Sequence, residues 1–206
     1  MAKSNNQTIQ REQQLCNDFN QFWNAALNSQ QQNYYGNLTP LQIVELKKVL
    51  SGVNNIITMK TTLAFAKILL KKKIISNSQY NDIQNQIMST NPNSPGFDIN
   101  YSYQKTNIVA EVKCNIPANG NKFGQAQVKG VDTDINNLLH GKGKMKGNTS
   151  NCYKFFVLLD DGLNVQHAMN HLINSRKWNN QIKDINQFTR NDKQSIYLIY
   201  VPIHSI

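Results

Sequence analysis

Residues 96–114 read Gly-Phe-Asp-Ile-Asn-Tyr-Ser-Tyr-Gln-Lys-Thr-Asn-Ile-Val-Ala-Glu-Val-Lys-Cys, and this stretch decides the fold. Apolar and polar residues alternate along both halves: Phe97, Ile99, Tyr101 and Tyr103 in the first, Ile108, Ala110, Val112 and Cys114 in the second. A period of two over such lengths is the pattern of half-buried β-strands. Gln104-Lys105-Thr106-Asn107 between them suits a hairpin turn. With Lys105 and Thr106 at the tip, Asp98 faces Lys113 and Asn100 faces Glu111, all on the face opposite the apolar set. A slip of one residue would bury the charges, so the alternation fixes which residues share a face.

Working outward, Asn91-Pro92-Asn93-Ser94-Pro95-Gly96 is turn chemistry that separates this hairpin from what precedes it. The first 90 or so residues read as helical. Thr39 as cap, Pro40 at the first helical position and Gln42 three residues after the cap predict a helix start, with Gly52 as its stop. Further helices are expected over 60–72 and 78–89. Downstream, 123–140 reads as a helix, 153–159 as a buried strand, 163–175 as a helix and 195–203 as a last strand. Strands separated by helices predict an α/β fold, a mixed central β-sheet flanked by helices, with a helical N-terminal part. We expect a single domain over 1–206, of which 1–90 is the mainly helical part and 91–206 the α/β core.

A chain of 206 residues with 39% hydrophobic content buries enough surface to fold without staples. Cys16, Cys114 and Cys152 form no CxxC pair and no closed disulfide framework, which excludes a disulfide-rich secreted scaffold. The sequence has no apolar run of membrane-spanning length, and the N-terminus lacks the apolar core of a signal peptide. A cytoplasmic location without membrane attachment is therefore expected. Lys+Arg 22 against Asp+Glu 12 gives a formal charge of +10, which favours a polyanionic partner.

Directly opposed residues of a hairpin have Cβ atoms about 5 Å apart, so Asp98, Glu111 and Lys113 converge on one patch of one sheet face. Two carboxylates brought together in this way make a hard, oxygen-rich site suited to Mg²⁺ with part of its water shell. The lysine is a compact donor able to hold a water beside the metal. These are the parts that phosphodiester hydrolysis needs. The same residues also admit a purely structural reading, in which Asp98 and Lys113 form an exposed cross-strand pair worth under about 1 kcal/mol.

Asp98, a twelve-residue gap and then Glu111-Val112-Lys113 resemble the PD-(D/E)xK nuclease superfamily, especially type II restriction endonucleases. The resemblance covers roughly residues 94–160. It implies a restriction endonuclease-like sheet, Mg²⁺ as cofactor, Asp98, Glu111 and the Val112 carbonyl as metal ligands, and Lys113 as the group that positions the attacking water. Some members add a carboxylate from an N-terminal helix, for which Glu45 is the candidate. Pro95 stands two positions farther from the aspartate than the family pattern has it, and only two strands precede the helix that follows the motif.

The stretch 115–147 reads as a nucleic-acid-facing surface. Lys122, Gln125, Gln127 and Lys129 lie at the helix start, and Lys142, Lys144 and Lys146 in the Gly- and Lys-rich loop after it. Lysines of this kind position phosphates without reading sequence. Gln125 and Gln127 suit contact with bases or phosphate, or simply solvent at a helix start. Asn148 stands where a P-loop needs lysine, so ATP binding is not expected. His167 and His171 share a helix face but have Ala168 where a zincin needs glutamate, and read as surface or packing residues.

The expected function is Mg²⁺-dependent, sequence-specific cleavage of double-stranded DNA by a homodimer, with a cognate DNA methyltransferase as functional partner. A repair or junction-resolving nuclease and a catalytically silent DNA-binding module are the alternatives. Phe19, Phe22, Trp23 and Leu27 form a helical apolar stripe that serves either the subunit contact or packing within the chain.

Overall fold

A computed structural model describes residues 2–29, 31–91, 94–104, 106–117, 120–143, 149–176 and 179–206. The chain divides into two compact units, Met1–Gly52 and Val53–Ile206. The first holds helix α1 (Ala2–Ala26), a single 3₁₀ turn (Tyr35–Asn37) and the start of helix α2 (Pro40–Lys71). The capping box read from the sequence forms: Gln42 N–H donates to Thr39 Oγ1 at 3.3 Å, and Thr39 N–H donates to Gln42 Oε1 at 2.8 Å. Phe19 packs edge-on against Trp23 and Tyr35. Phe22 and Leu27 of the same stripe are exposed, as are Leu41, Val44, Val49 and Leu50 on α2.

Gly52 does not stop the helix. α2 runs through it as one helix of 32 residues, replacing the two separate helices expected from the sequence. An interior glycine costs a helix only about 1 kcal/mol relative to alanine, and neither proline nor a turn cluster follows to reinforce a stop. A Cβ built at Gly52 meets nothing within 4 Å. Gly52→Ala is therefore expected to stabilise the protein by about 0.5–1 kcal/mol, read as a rise in thermal midpoint.

Within Val53–Ile206, helix α3 (Asn77–Ser89) begins at a Ser76–Gln79 capping box. Strands β1 (Ile99–Tyr103) and β2 (Thr106–Lys113), helix α4 (Gln125–His140), strand β3 (Tyr153–Asp160), helix α5 (Asn164–Asn174) and strands β4 (Ile182–Asp184) and β5 (Ile196–Pro202) follow. The sheet order is β1-β2-β3-β5-β4. β1 and β2 are antiparallel and every other pairing is parallel, so the sheet is mixed. β3, at the centre, is buried along its whole length, as a near-continuous apolar strand covered on both faces must be.

Two apolar clusters sandwich the sheet. Ile99, Ile108, Ala110, Val112, Phe155 and Val157 pack with Phe65 and Leu69 of α2 and Ile83 of α3. Val109, Phe156 and Leu158 pack with Val131, Ile135 and Leu138 of α4 and Val165 and Met169 of α5. Odd and even positions of β2 thus serve opposite helical layers.

The hairpin forms, with a register two residues from the expected one. Ile99 pairs with Ala110 and Tyr103 with Thr106, so the tip lies one residue earlier in the chain. Asn100 stands opposite Val109 rather than Glu111, and Lys113 pairs in the ladder with Leu158 of β3 rather than facing Asp98. A shift by two keeps every side chain on its face, which is why the apolar pattern cannot distinguish the two registers. Phe97, placed with the apolar face of the hairpin, instead packs against the α4/α5 cluster. It lies before β1, where the period of two no longer applies.

Candidate active site

Glu111 and Lys113 lie two apart on β2 and so project from one sheet face, the one that α4 covers. Asp98 lies one residue before β1 and reaches β2 through its side chain. Asp98 Oδ2 accepts the Val112 N–H at 2.7 Å, and a side-chain hydrogen bond links Asp98 to Glu111.

Asp98 is exposed, whereas Glu111 is only 4% exposed. Removal from water is the main influence on Glu111 and, reinforced by Asp134 and Asp98, pushes its pKa from 4.5 up to about 8 against the opposing charge of Lys142. Burial thus opposes the ionisation of Glu111, and Lys142 favours it. The Asp98 pKa is raised too, again chiefly by desolvation, although the Val112 N–H and Lys142 pull it down. The two carboxyls thus stand side by side with their ionisation opposed by desolvation, a condition that a cation relieves.

Two lysines meet the carboxylates. Lys142 Nζ lies 2.6 Å from Glu111 Oε1 and 5.1 Å from the centre of the Phe97 ring. Lys113 Nζ lies 2.8 Å from Asp134 Oδ2 on α4. A Cβ added at Gly130 would stand 3.7 Å from that same ammonium, an ordinary contact distance, so α4 runs directly beside Lys113. Beside Lys113 opens a cavity of about 180 Å³, with Asn115 and Gln127 on its wall and Phe123, Val131 and Leu158 among its apolar residues. At about 30 Å³ per molecule, it has room for several waters next to the lysine.

Asp98, Glu111 and Lys113 are therefore brought together, with Val112 between them. The exposed cross-strand pair between Asp98 and Lys113 does not form, because Asp134 takes the lysine. Glu45 is exposed on α2, in the Met1–Gly52 unit. Lys122, Gln125 and Lys129 are exposed at the start of α4. Gln127, expected to meet nucleic acid, accepts the Gly124 N–H at 2.9 Å and donates to the Ile116 carbonyl at 2.7 Å, which locks the helix start. Lys142, expected to face phosphate, turns inward to Glu111. Lys144 and Lys146 lie outside the described residues.

Asp134 and the inward role of Lys142 escape sequence reasoning. The signal for Asp134 was its place three residues after Val131 and one before Ile135, at the border of the buried face of α4.

Among the described residues, no three His, Cys, Asp or Glu side chains converge on one metal-holding group. A cation held by Asp98 and Glu111 would complete its shell with water and backbone oxygen, which suits Mg²⁺. Elsewhere, Asp161 caps α5 by accepting the Val165 N–H at 3.1 Å, and His167 and His171 are exposed. No helix of the described residues is long and apolar enough to cross a membrane. No protein family, curated protein or solved structure matches the chain.

Proposed function

We propose that the chain is a Mg²⁺-dependent endonuclease of double-stranded DNA with a restriction endonuclease-like core. The observation that carries this reading is the joined Asp98–Glu111 carboxylate pair with Lys113 on the same sheet face. Asp98 and Glu111 would hold the ion, with the Val112 carbonyl as the third protein ligand that the motif implies. Bound there, Mg²⁺ supplies charge on a phosphoryl oxygen and acidifies a water.

The chain's own groups do the rest. Lys113, braced by Asp134, orients the attacking water from the cavity side and offsets charge developing on the phosphate. Asp98, tied to the Val112 N–H, keeps its carboxylate at the solvent-facing edge where a backbone phosphate can approach. The excess of 22 Lys+Arg over 12 Asp+Glu supplies sequence-independent attraction to the duplex. Lys122 and Lys129 are exposed at the start of α4, and Lys122→Ala/Lys129→Ala should reduce the slope of log binding constant against log salt by up to about two.

A double-strand break at a palindrome needs two such sites, and a two-fold dimer provides them. We assign the subunit contact to the apolar stripe of Phe19, Phe22, Trp23 and Leu27, of which Phe22 and Leu27 are exposed. Light scattering on the protein with a short duplex is expected to give two chains per duplex.

Incubation of supercoiled plasmid with the protein and MgCl₂ tests the reading. Discrete bands are expected, and in a cell they would require a protecting DNA methyltransferase. Nicks or smears would point to a repair or junction-resolving nuclease. DNA binding without any strand cleavage would contradict the enzyme reading.

A further inference from the structure

On the reading of the site given above, we infer that Lys142 is a built-in counter-ion: it holds the divalent cation's place between Asp98 and Glu111 and must swing away before that cation binds. Its ammonium lies 2.6 Å from Glu111 Oε1, and its charge acts on both carboxylates. A dication bonded to the same carboxylate would stand within a few ångströms of the ammonium in a poorly hydrated spot. There the two cations repel each other, and each weakens the hold of the carboxylates on the other.

The local backbone fits a side chain that has two positions. Lys142 follows α4 directly and sits between Gly141 at φ 81 and Gly143 at φ 55. Both glycines occupy the left-handed region that side-chain-bearing residues rarely adopt. This Gly-Lys-Gly corner turns the chain sharply enough to aim Lys142 back at β2. The Phe97 face under the ammonium adds a cation–π contact that steadies the inward position. The side chain nevertheless keeps 25% of its surface exposed, so a route outward is open. Glu111, by contrast, has no such freedom on its buried strand.

The experiment is a titration with MgCl₂ alone, in the absence of DNA, followed by calorimetry and by thermal midpoint at pH 9. Wild type, Lys142→Ala, Lys142→Arg and Asp98→Asn are compared. Lys142→Ala is expected to bind Mg²⁺ about tenfold more tightly than wild type, and to gain more thermal stability at equal MgCl₂. Lys142→Arg, which keeps a cation on Glu111, should bind no more tightly than wild type. Equal or weaker Mg²⁺ binding by a folded Lys142→Ala protein would overturn the counter-ion role while leaving the metal site in place. Binding by none of the proteins, or undiminished binding by Asp98→Asn, would overturn the metal site itself and the role of Lys142 with it.

Discussion

Glu111→Gln is expected to abolish Mg²⁺-dependent cleavage and, at the same time, to raise the thermal midpoint of the metal-free protein at pH 8.5. The two effects share one cause. Burial lifts the Glu111 pKa from 4.5 to about 8, so between those values the folded state holds a proton that the unfolded chain releases. The stability this group contributes is therefore fully present below about pH 4.5 and is lost as the pH rises through about 8. Glutamine carries no charge to desolvate, yet it can still hydrogen-bond to Asp98. Glutamine stands in for the protonated acid at every pH, so the gain is that linkage free energy, about 1–3 kcal/mol or several degrees in a chain of this size. Melts of both proteins at pH 5 and pH 8.5 should show the gain only at the higher pH. A variant less stable than wild type at pH 8.5 would mean that the pairing with Lys142 is structural.

Lys113→Ala is expected to slow cleavage by about 10²–10³-fold while leaving DNA binding in the absence of Mg²⁺ close to wild type. The ammonium touches Asp134 rather than a buried partner on the sheet, and its side chain is 30% exposed, so its loss leaves the core intact. The magnitude is that of removing one preorganised donor from a developing charge. Lys113→Arg should not restore the rate, because a planar, longer guanidinium does not present the compact ammonium that holds a water. Unchanged single-turnover cleavage by Lys113→Ala would remove the lysine from the chemistry.

The sequence discloses the layers of the fold better than its joints. The period of two in 97–114 gives both strands and their faces, and the apolar run 153–159 gives the central strand. The partner opposite each residue was not legible, since a shift of two in the hairpin register satisfies the same pattern. β4 has only three residues, Ile182–Asp184, too few to show any period. Gly52 carries the composition of a helix stop but lacks the flanking punctuation that makes one.

In the site, Asp98, Glu111 and Lys113 were legible because one hairpin holds all three. Asp134 and Lys142 were not, because their roles depend on how α4 packs on the sheet and how the corner after it turns. Nothing between 111 and 142 announces that the distant lysine closes on the buried glutamate. The charge of +10 suggests a polyanion without saying which lysines meet it, and Lys142 is found against Glu111.

The central claim is that the Asp98–Glu111 pair and Lys113 cleave DNA with the help of Mg²⁺. The most direct measurement is plasmid cleavage by wild type and by an Asp98→Asn/Lys113→Ala double variant, purified side by side and stripped of metal. Each is assayed in EDTA and after addition of MgCl₂. The account predicts cleavage only by wild type and only with MgCl₂, with both proteins equally folded. Cleavage by the double variant at the wild-type rate, or wild-type cleavage that persists in EDTA, would contradict it.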